Sequence, residues 1–480
     1  MNRGFTIEDR KIFEMMKTAE NAGSACVEAV LDKARKGLGL QPNETAVLLA
    51  CEDNLVWQQI YEIAGHLKQK IYGDRVVLFA PLYVSDYCVN NCVYCGFRNA
   101  SKKPRRKLTQ EEVRDEVRAL IRMGHKRLAL EAGEDPANCP IEYILECIET
   151  IYGTQIQSGV GIRRINVNIA ATTVENYRKL KEANIGTYIL FQETYHKKTF
   201  EKYHISGPKT DYTRHIAAMD TAMTAGIDDV GGGVLFGLYD YKYEVLALME
   251  HNNHLEREFG TGFHTISVPR VKAAAGDHKA LPHDNESTTK PSEFSVTDEQ
   301  MRKIIAVLRV SVPQTGIILS TRETADMRKE LIQLGVSQIS GGSCVEVKGY
   351  SGKTLSRTID SNSETALPQF EIEDNRNAAD IIYWLMEEGF VPSFCTACYR
   401  KNRTGATFMH LAKHGQIKNV CLPNALLTLR EYAEDYGDEK FMILANTLIE
   451  QKLEELDEPM PAIIEDGLAA IKNGERDVYI

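Results

Sequence analysis

From Arg75 onward, short apolar runs alternate eight times with amphipathic stretches of helix length. This alternation is typical of successive βα units, and it restricts the chain to folds built on a parallel sheet. Eight units over about 270 residues fit a (β/α)8 barrel, in which the loops after the strands carry the chemistry. An open, doubly wound sheet is the alternative, because a count of units does not prove that the sheet closes.

The predicted strands are short runs of apolar and β-branched residues bounded by turn residues. They cover residues 75–85, 126–132, 163–171, 186–194, 227–237, 262–270, 315–321 and 337–342. The amphipathic stretches between them predict helices over 109–124, 173–184, 210–226 and 297–312. Several of these helices begin at a Thr or Asp whose side chain can accept hydrogen bonds from the amides of the first turn.

Two further modules flank the alternation. Residues 1–74 show helical spacing broken by glycine and proline, which predicts an N-terminal helical cap. The barrel then covers 75–367, and the mostly helical pattern of 368–480 predicts a separate C-terminal domain. A polar segment at 273–295 interrupts the repeat, and its length is typical of a lid or a disordered loop.

Charge and composition exclude several classes of function. The chain has 57 Lys and Arg against 67 Asp and Glu, and no basic stripe offers itself to nucleic acid. Its first thirty residues lack the apolar core of a signal peptide, and no run is long enough to span a membrane. The eleven cysteines therefore predict reduced thiols and metal ligands in a cytoplasmic protein.

The loop after the first predicted strand contains Cys88, Cys92 and Cys95 in a C-x3-C-x2-C run. Three thiolates at this spacing can hold three corners of a four-iron cube, which leaves one iron open to a chelating small molecule. A structural zinc site is the alternative, but zinc normally requires a fourth protein ligand, and the loop offers none nearby.

A second group of cysteines lies in the C-terminal region. Cys395, Cys398 and Cys421 follow a C-x2-C-x22-C spacing, which again suits a cube with one free corner. Zinc is a stronger rival here, because His410 or His414 could complete a Cys3His tetrahedron. Five other cysteines lack ligand spacing and are predicted to be buried apolar side chains: Cys26, Cys51, Cys139, Cys147 and Cys344.

Polar residues follow the earlier predicted strands at the end where barrel chemistry takes place. Tyr94 precedes the last cysteine of the first group, and Gly133 and Glu134 end the second strand. Glu193 follows the fourth strand and Arg214 lies on the next helix, so this pair can hold a zwitterion. A surface ion pair is the alternative for Glu193 and Arg214.

The last two predicted strands also end in polar residues. Arg322 follows the seventh strand, and Ser340 and Ser343 follow the eighth. An arginine and serines on adjacent loops can bind an amino acid carboxylate through charge-assisted hydrogen bonds. A local ion pair between Arg322 and Glu323 is the alternative.

Three motifs together resemble one family. They are A-P-L-Y-V-S-D-Y-C-V-N-N-C-V-Y-C-G-F-R at 80–98, Q-E-T-Y at 192–195 and S-F-C-T-A-C-Y-R at 393–400. The chain resembles the radical SAM tyrosine lyases that mature FeFe-hydrogenases, and the likeness runs over nearly its whole length. The resemblance implies two 4Fe-4S clusters, on Cys88, Cys92 and Cys95 and on Cys395, Cys398 and Cys421, with S-adenosylmethionine on the first.

The resemblance also assigns roles to individual residues. It implies that S-adenosylmethionine is bound by Tyr94, Gly133, Glu134, Glu193 and Arg214, and that tyrosine is held by Arg322 and Ser340, or by Ser343 in place of Ser340. It further implies that His264 helps to hold an extra iron beside the second cluster. His264 lies early on its predicted strand, whereas ligands at the barrel rim should lie late, so a buried core histidine is the alternative.

The reaction that the resemblance implies begins with reductive cleavage of S-adenosylmethionine and hydrogen abstraction from L-tyrosine. The side chain would leave as p-cresol, and the remaining dehydroglycine would break into carbon monoxide and cyanide at the second cluster, on an extra iron chelated by L-cysteine. A ferredoxin or flavodoxin would supply electrons, and other hydrogenase maturases would receive the product for assembly of the H-cluster.

Two alternatives to this function differ in class. A 2-iminoacetate synthase of thiamine thiazole synthesis would stop at dehydroglycine, but such enzymes lack the C-terminal cysteine triplet. A noncatalytic iron-sulfur scaffold or carrier would leave Glu193, Arg214 and Arg322 without a task.

Overall fold

A computed structural model of the chain describes residues 5–271, 293–353, 368–457 and 459–480. Eight parallel strands form the barrel, and β1 pairs with β10, which closes it. Two short strands, β3 and β4, form a separate antiparallel hairpin. In chain order, the strands are β1 Arg75–Ser85, β2 Arg127–Ala132, β3 Gln155–Gln157, β4 Val160–Gly161, β5 Arg164–Asn168, β6 Tyr188–Ile189, β7 Val230–Gly233, β8 Thr265–Ser267, β9 Gly316–Leu319, β10 Gln338–Ser340 and β11 Val391–Ser393.

The predicted (β/α)8 barrel is therefore confirmed, and the open sheet is excluded by the pairing of Val77 with Gln338. Each of the eight predicted strands contains an observed one, but most are shorter than predicted. The segment at 262–270, for example, forms a strand only over Thr265–Ser267. Strand pairing ends early because the flanking residues leave the sheet to form the loops at the two ends of the barrel.

Helices surround the barrel on its outer face. Those before and within it are α1 Asp9–Ala19, α2 Ser24–Arg35, α3 Pro42–Ala50, α4 Asn54–Tyr72, α5 Gln110–Arg122, α6 Ile141–Gly153, α7 Val174–Glu182, α8 Lys197–Tyr203, a 3-10 turn at Pro208–Thr210, α9 Tyr212–Ile216, α10 Ala218–Thr224, α11 Tyr241–Phe259, α12 Asp298–Ser311, α13 Ala325–Leu334 and α14 Gly349–Lys353. Thr109, Thr173 and Thr297 accept from an amide of the first turn of their helices, as predicted.

The helix predicted over 210–226 is divided in two. Its residues form α9 and α10, and the break lies at Ala217, which has φ of −81° and ψ of 2°. This backbone departs from the α-helical region. The consequence is that Arg214 lies on a short helix of its own, close to the loops after β2 and β5.

The region before the barrel is helical, as predicted. Helix α4 packs against α12 and α13, and α1 packs against α3 and α11, so these helices cover one side of the barrel. A single apolar core joins Leu31 and Ile60 of this region to Ile317 in the barrel and Leu427 beyond it. Among the described residues, no helix combines the length and apolar character needed to cross a bilayer.

The region after the barrel is mostly helical and contributes one strand. Its helices are α15 Ala378–Glu387, α16 Ala397–Arg400, α17 Gly405–Lys413, α18 Ile417–Tyr436, α19 Glu439–Leu453 and α20 Met460–Lys472. Strand β11 pairs in parallel with the first residues of β1, with Arg75 opposite Val391. This pairing ties the C-terminal helices to the amino-terminal end of the barrel.

Two predictions concern segments that are only partly described. Most of the polar segment at 273–295 lies outside the described residues, as does the boundary predicted at residue 367. The division into 1–74, 75–367 and 368–480 stays a prediction. All eleven cysteines are free thiols, and among the five without ligand spacing the prediction of burial holds for Cys147 and Cys344 but is wrong for Cys26, which is exposed.

Candidate functional site

The first cysteine loop is held by backbone hydrogen bonds from three separate segments. The amide of Val89 donates to Glu134 after β2 at 2.8 Å, and the amide of Asn91 donates to Ser206 after α8 at 2.9 Å. The amide of Gly96 donates to Gln369 at 3.0 Å. Loops with exposed backbone are normally mobile, so these contacts give the cysteines a defined position at the carboxyl end of β1.

Gly133 lies where the loop after β2 contacts the cysteine loop. Its amide donates to the carbonyl of Ser85 at 3.0 Å. A Cβ atom at this position would lie 2.3 Å from the carbonyl oxygen of Tyr87 and 3.0 Å from the Cβ of Cys88. Glycine is thus required by the close approach of two backbones, which is a reason independent of any ligand.

The three thiols line one cavity of about 220 Å³ at the carboxyl ends of the strands. Burial raises the pKa of Cys95 to about 11, with a further increase from Cys88, and burial also raises the pKa of Cys92. Clustered thiols held neutral in this way are expected to ionise when they bind a metal. In the described parts of the chain, no three Cys, His, Asp or Glu side chains converge on a single metal ion.

Every residue predicted to bind S-adenosylmethionine or tyrosine lines this same cavity. Glu134 accepts from the side-chain amide of Asn90 at 2.6 Å and from both terminal nitrogens of Arg214 at 3.2 Å. Arg214 also donates to the carbonyl of Ala171. Glu134 and Arg214 thus form an ion pair in the cavity. Asn90 in the cysteine loop is hydrogen-bonded to the same carboxylate, and the sequence did not predict this role.

Glu193 pairs with Lys209, whose ammonium lies 2.8 Å from the Glu193 carboxylate. Burial acts to lower the pKa of Lys209, but the charge of Glu193 raises it above its usual range. Glu193 has a φ of 67°, a conformation that costs energy for a residue other than glycine and that clusters at functional sites. Lys209 belongs to the Gly-Pro-Lys segment that follows Q-E-T-Y, and this proximity in sequence is the signal that could have identified it.

Tyr94 lies beside this pair. Its hydroxyl is 2.7 Å from Nε2 of His204, and the ammonium of Lys209 is 5.9 Å from the centre of its ring. Burial lowers the pKa of His204 to about 3, so the imidazole is neutral at physiological pH. The tyrosine ring is consequently fixed in orientation at the wall of the cavity.

Arg322 lines the same cavity as the cysteines and does not pair with Glu323. Glu323 accepts two hydrogen bonds from Arg270, at 2.8 and 2.5 Å, so the interpretation of a local ion pair is wrong. The guanidinium of Arg322 stacks on Phe370, with 3.6 Å from its central carbon to the ring centre. Within the described residues it has no carboxylate partner, and burial lowers its pKa.

Ser340 and Ser343 lie next to Arg322 on the lining of the cavity. Ser340 is buried, and its carbonyl accepts from Arg328, which is itself paired with Asp374. The hydroxyl of Ser343 is buried and has no hydrogen-bond partner among the described residues. An unsatisfied buried hydroxyl is rare and indicates a missing partner, which makes Ser343 as strong a ligand-binding candidate as Ser340.

The second cysteine group lies at the opposite, amino-terminal end of the barrel. Cys395 follows β11, Cys398 lies in α16 and Cys421 lies near the start of α18, and all three line one cavity. A hydrogen bond from Cys398 lowers the pKa of Cys421 to about 6, and Arg75, Arg403 and Arg127 contribute through their charge. The site therefore already stabilises a thiolate, which is the form that ligates iron.

His264 lines the same cavity and lies one residue before β8. Its early position, which conflicted with a site at the rim, is the position required for a site at the amino-terminal end. Its Nδ1 is 3.5 Å from Asp229 Oδ1, and that oxygen accepts from the amide of Gly405 at 2.7 Å. A carboxylate beside a histidine is the usual support of a metal-binding imidazole.

His410 and His414 do not take part in this cavity. They lie at the end of α17, where their rings contact each other at 4.2 Å between centres, and both are exposed to solvent. The Cys3His zinc site that the sequence left open, with His410 or His414 as the fourth ligand, is therefore not the one that this cavity offers. The polar residues that line the cavity include the three thiols, His264, Asp229, Arg75, Arg127 and Arg403.

Comparisons with known proteins place the chain in the radical SAM superfamily. The model of the radical SAM superfamily matches residues 82–251, and that of the biotin and thiamin synthesis associated domain matches residues 267–391. The 2-iminoacetate synthase of Salmonella typhimurium is 27% identical over 366 residues, which are 76% of this chain and 89% of that protein.

Two solved structures match nearly the whole chain. The crystal structure of HydG, a maturase of the FeFe-hydrogenase, is 50% identical with a TM-score of 0.92, and the match covers 99% of each chain. The HydG of Carboxydothermus hydrogenoformans is 36% identical with a TM-score of 0.80, covering 96% of this chain and 97% of that one. Sequence identity of 36% and 50% over nearly the whole of the compared chains shows that these proteins belong to one family. The chain belongs to the HydG family of FeFe-hydrogenase maturases within the radical SAM superfamily.

Proposed function

We propose that this chain is a radical SAM lyase that cleaves L-tyrosine to p-cresol and dehydroglycine. The dehydroglycine is then converted to carbon monoxide and cyanide at the second cysteine site, for assembly of the FeFe-hydrogenase cofactor. One observation carries the proposal. A single cavity is lined both by the three-cysteine loop and by Arg322, whose guanidinium has no carboxylate partner among the described residues.

The cluster side of the cavity fits S-adenosylmethionine. When bound, a reduced 4Fe-4S cluster and S-adenosylmethionine supply a hydrogen-abstracting 5'-deoxyadenosyl group. Cys88, Cys92 and Cys95 would hold the cluster. Glu134 presents a carboxylate for the ligand's ammonium, and the positive charge of Arg214 beside it suits the ligand's carboxylate.

The part of the cavity lining that contains Arg322 fits the amino acid end of tyrosine. Arg322 supplies a planar set of donors whose orientation is fixed by stacking on Phe370, and a planar guanidinium binds carboxylates bidentately. The unpaired hydroxyl of Ser343 adds a hydrogen bond. Because the lining is largely apolar and buried, it excludes water from a reactive intermediate.

The second site supports conversion of the fragment in preference to a reaction that ends at dehydroglycine. Cys395, Cys398 and Cys421 would hold an auxiliary 4Fe-4S cluster, and His264 would hold an additional iron chelated by L-cysteine. A 2-iminoacetate synthase has no use for such a site. The partners implied by this function are a ferredoxin or flavodoxin as reductant and the other hydrogenase maturases as recipients of the product.

The test is turnover of the anaerobically reconstituted protein with dithionite, S-adenosylmethionine and tyrosine. We expect 5'-deoxyadenosine, p-cresol and cyanide to form together, and only when tyrosine is present. Cleavage of S-adenosylmethionine that is independent of tyrosine and gives no p-cresol would refute the lyase. A noncatalytic scaffold would give neither 5'-deoxyadenosine nor p-cresol.

A further inference from the structure

Three adjacent strands of the barrel each begin with an arginine. Arg75, Arg127 and Arg164 are the first residues of β1, β2 and β5, and Arg127 is paired in register with Arg164. Catalytic or binding residues are not normally expected at this end of a barrel, where residues usually stabilise the fold. Arg75 and Arg127 line the cavity of the second cysteine site.

Arg164 is not among the residues that line this cavity, whereas its two neighbours are. Arg164 donates to the carbonyls of Asn184 and Ile185, and its guanidinium lies 3.8 Å from the centre of the Tyr399 ring. It therefore stabilises the surrounding loops. Arg75 and Arg127 are the two arginines of this row that are available to a ligand in the cavity.

Arg75 and Arg127 are both more than nine-tenths buried, with 7% and 8% of their surface exposed. Nε of Arg75 has no acceptor among the described residues, and Arg127 donates to the carbonyl of Cys395 at 3.4 Å. Neither forms an ion pair with a carboxylate in the described parts of the chain. A buried and unpaired guanidinium is costly, so a site that keeps two of them is built for an anion.

The other charges around the cavity do not meet this demand. Asp229 is its lining carboxylate; Oδ1 accepts from the amide of Gly405 and lies 3.5 Å from Nδ1 of His264, and Oδ2 has no hydrogen-bond partner among the described residues. This carboxylate forms no ion pair with Arg75 or Arg127 in the described parts of the chain. Arg403 adds a further positive charge and donates to the carbonyl of Ile480. A cluster on three thiolates offsets part of the positive charge. It does not accept the paired N–H hydrogen bonds that a planar guanidinium donates to the two oxygens of a carboxylate.

We propose that Arg75 and Arg127 form a carboxylate-binding site beside Cys395, Cys398 and Cys421, which takes a two-carbon α-imino or α-amino acid. This inference rests on the proposed function, in which dehydroglycine is the fragment that reaches the second site. The arginines hold its carboxylate at the amino-terminal end of β1 and β2. Its reacting nitrogen and carbon are then directed toward the thiols and His264.

The test measures binding of glyoxylate, a stable two-carbon carboxylate, to the anaerobically reconstituted protein by calorimetry. We expect Arg75→Gln and Arg127→Gln each to weaken glyoxylate binding about tenfold or more, the loss typical of a charge-assisted pair. The yield of carbon monoxide per p-cresol should fall in parallel. Arg118→Gln, on the outer surface of α5, is the control and should bind glyoxylate as the wild type does.

Each outcome decides the matter. If the glutamine variants do not fold, as judged by thermal unfolding and iron content, Arg75→Lys and Arg127→Lys replace them, since lysine keeps the charge but lacks the fork. Unchanged glyoxylate affinity in the folded variants, with only a shift in the reduction potential of the second cluster, would overturn the inference. Absence of glyoxylate binding to the wild type would also overturn it. Failure of the proposed function is separate, because it appears as wild-type protein that makes no p-cresol.

Discussion

Two charged residues of the main cavity are in opposite situations. Lys209 is compensated by Glu193 at 2.8 Å, so its charge is neutralised before any ligand binds. Arg322 has no such partner in the part of the chain that the structure describes, because the neighbouring Glu323 pairs with Arg270. A buried pair of opposite charges is stable without a ligand and can serve as a fixed part of the cavity wall. A buried charge without a partner is costly, and a ligand of opposite charge removes that cost. Arg322 is therefore the residue on which recognition of the substrate carboxylate depends.

Replacement of Arg322 by glutamine should weaken tyrosine binding and leave the fold intact. A hydrogen bond to a charged group contributes about 1.5–3 kcal/mol, which corresponds to a roughly ten- to hundredfold increase in KM for tyrosine. The measurement is the rate of p-cresol formation as a function of tyrosine concentration. Stability should fall little, because the guanidinium contributes no ion pair in the described residues.

Arg302→Gln is the matched control for this experiment. Arg302 lies on α12 and pairs with Glu330 at the surface, where loss of an ion pair has little effect. Its KM for tyrosine should equal that of the wild type. An unchanged KM in Arg322→Gln would place the substrate carboxylate elsewhere, with Ser340 and Ser343 as the remaining candidates.

At the residue scale, the sequence identifies polar residues that directly follow an apolar strand. Arg322 was identified because it follows a strand end, where barrel function concentrates. The Gly-Pro-Lys segment at 207–209 offered a signal for Lys209, but its pairing with Glu193 depends on the distance between two loops, which neither segment of the sequence shows. The orphaned hydroxyl of Ser343 was likewise visible only from the hydrogen bonds that surround it.

At the scale of elements, helix α11 fixes the loop that follows β6. Glu244 on this helix is buried, and its carboxyl group accepts from the amide of Tyr195 at 2.8 Å and contacts the hydroxyl of Thr194. Tyr195 and Thr194 directly follow Glu193. The position of the Glu193 carboxylate in the cavity thus depends on a residue that lies outside it.

The stability of the fold should depend on pH through Glu244. Burial raises its pKa from 4.5 to about 8, so the folded chain keeps a proton that the unfolded chain has lost. Stability from this group is fully present below about pH 4.5 and is lost as the pH rises toward 8, by about 1.4 kcal/mol per pH unit. Urea unfolding of the cluster-free protein at pH 5 to 8 measures this slope.

The matched variant is Glu244→Gln, which keeps the hydrogen-bonding shape but has no proton to lose. Its unfolding free energy should vary less with pH than that of the wild type and should exceed it near pH 8. Glu201→Gln, an exposed position on α8, should keep the wild-type slope. Identical slopes in Glu244→Gln and the wild type would show that Glu244 is ionised in the folded protein.

The contact between the first cysteine loop and the loop after β2 gives a second prediction at this scale. Gly133→Ala would place a Cβ atom 2.3 Å from the carbonyl of Tyr87 and displace the loop that carries Cys88. We expect loss of the first cluster, measured as iron content and as the signal of the reduced cluster in electron paramagnetic resonance. Gly153→Ala is the control, because its Cβ meets no atom within 4 Å. Full iron content in Gly133→Ala would show that the loop adapts.

The number and order of elements were predictable, but their limits were not. All eight barrel strands were predicted from apolar runs, since burial on both faces imposes such runs. Their ends depend on tertiary pairing, which is why 186–194 contains a strand of only Tyr188–Ile189. The break at Ala217 was also hidden, because residues 210–226 keep helical spacing across it.

At the scale of the whole molecule, the two cysteine sites lie at opposite ends of the same strands. Val77 on β1 lines the second cavity, whereas Phe79, Pro81 and Tyr83, further along the same strand, line the first. The sequence did not predict this arrangement, because the rule that barrel chemistry lies at the carboxyl ends applies to the first site alone. Two features of the sequence indicated a site at the amino-terminal end: the early position of His264 on its predicted strand, and the arginines that begin β1, β2 and β5.

Separation of the sites predicts that the two halves of the reaction can be uncoupled. In Cys395→Ala/Cys398→Ala, the iron content should fall to roughly half, since one of two cubes is lost. Formation of p-cresol should continue, because no residue of the first cavity is changed, whereas carbon monoxide and cyanide should no longer form. Cys88→Ala should lose all three products, because every later step depends on cleavage of tyrosine.

Cys26→Ala is the control for both variants, since Cys26 is an exposed thiol on α2, remote in sequence from either cysteine group. It should keep the full iron content and all products. Carbon monoxide from Cys395→Ala/Cys398→Ala at the wild-type yield per p-cresol would show that the fragment breaks down at the first site or in solution. The amino-terminal end of the barrel would then have a structural role, and the buried arginines there would require another anion.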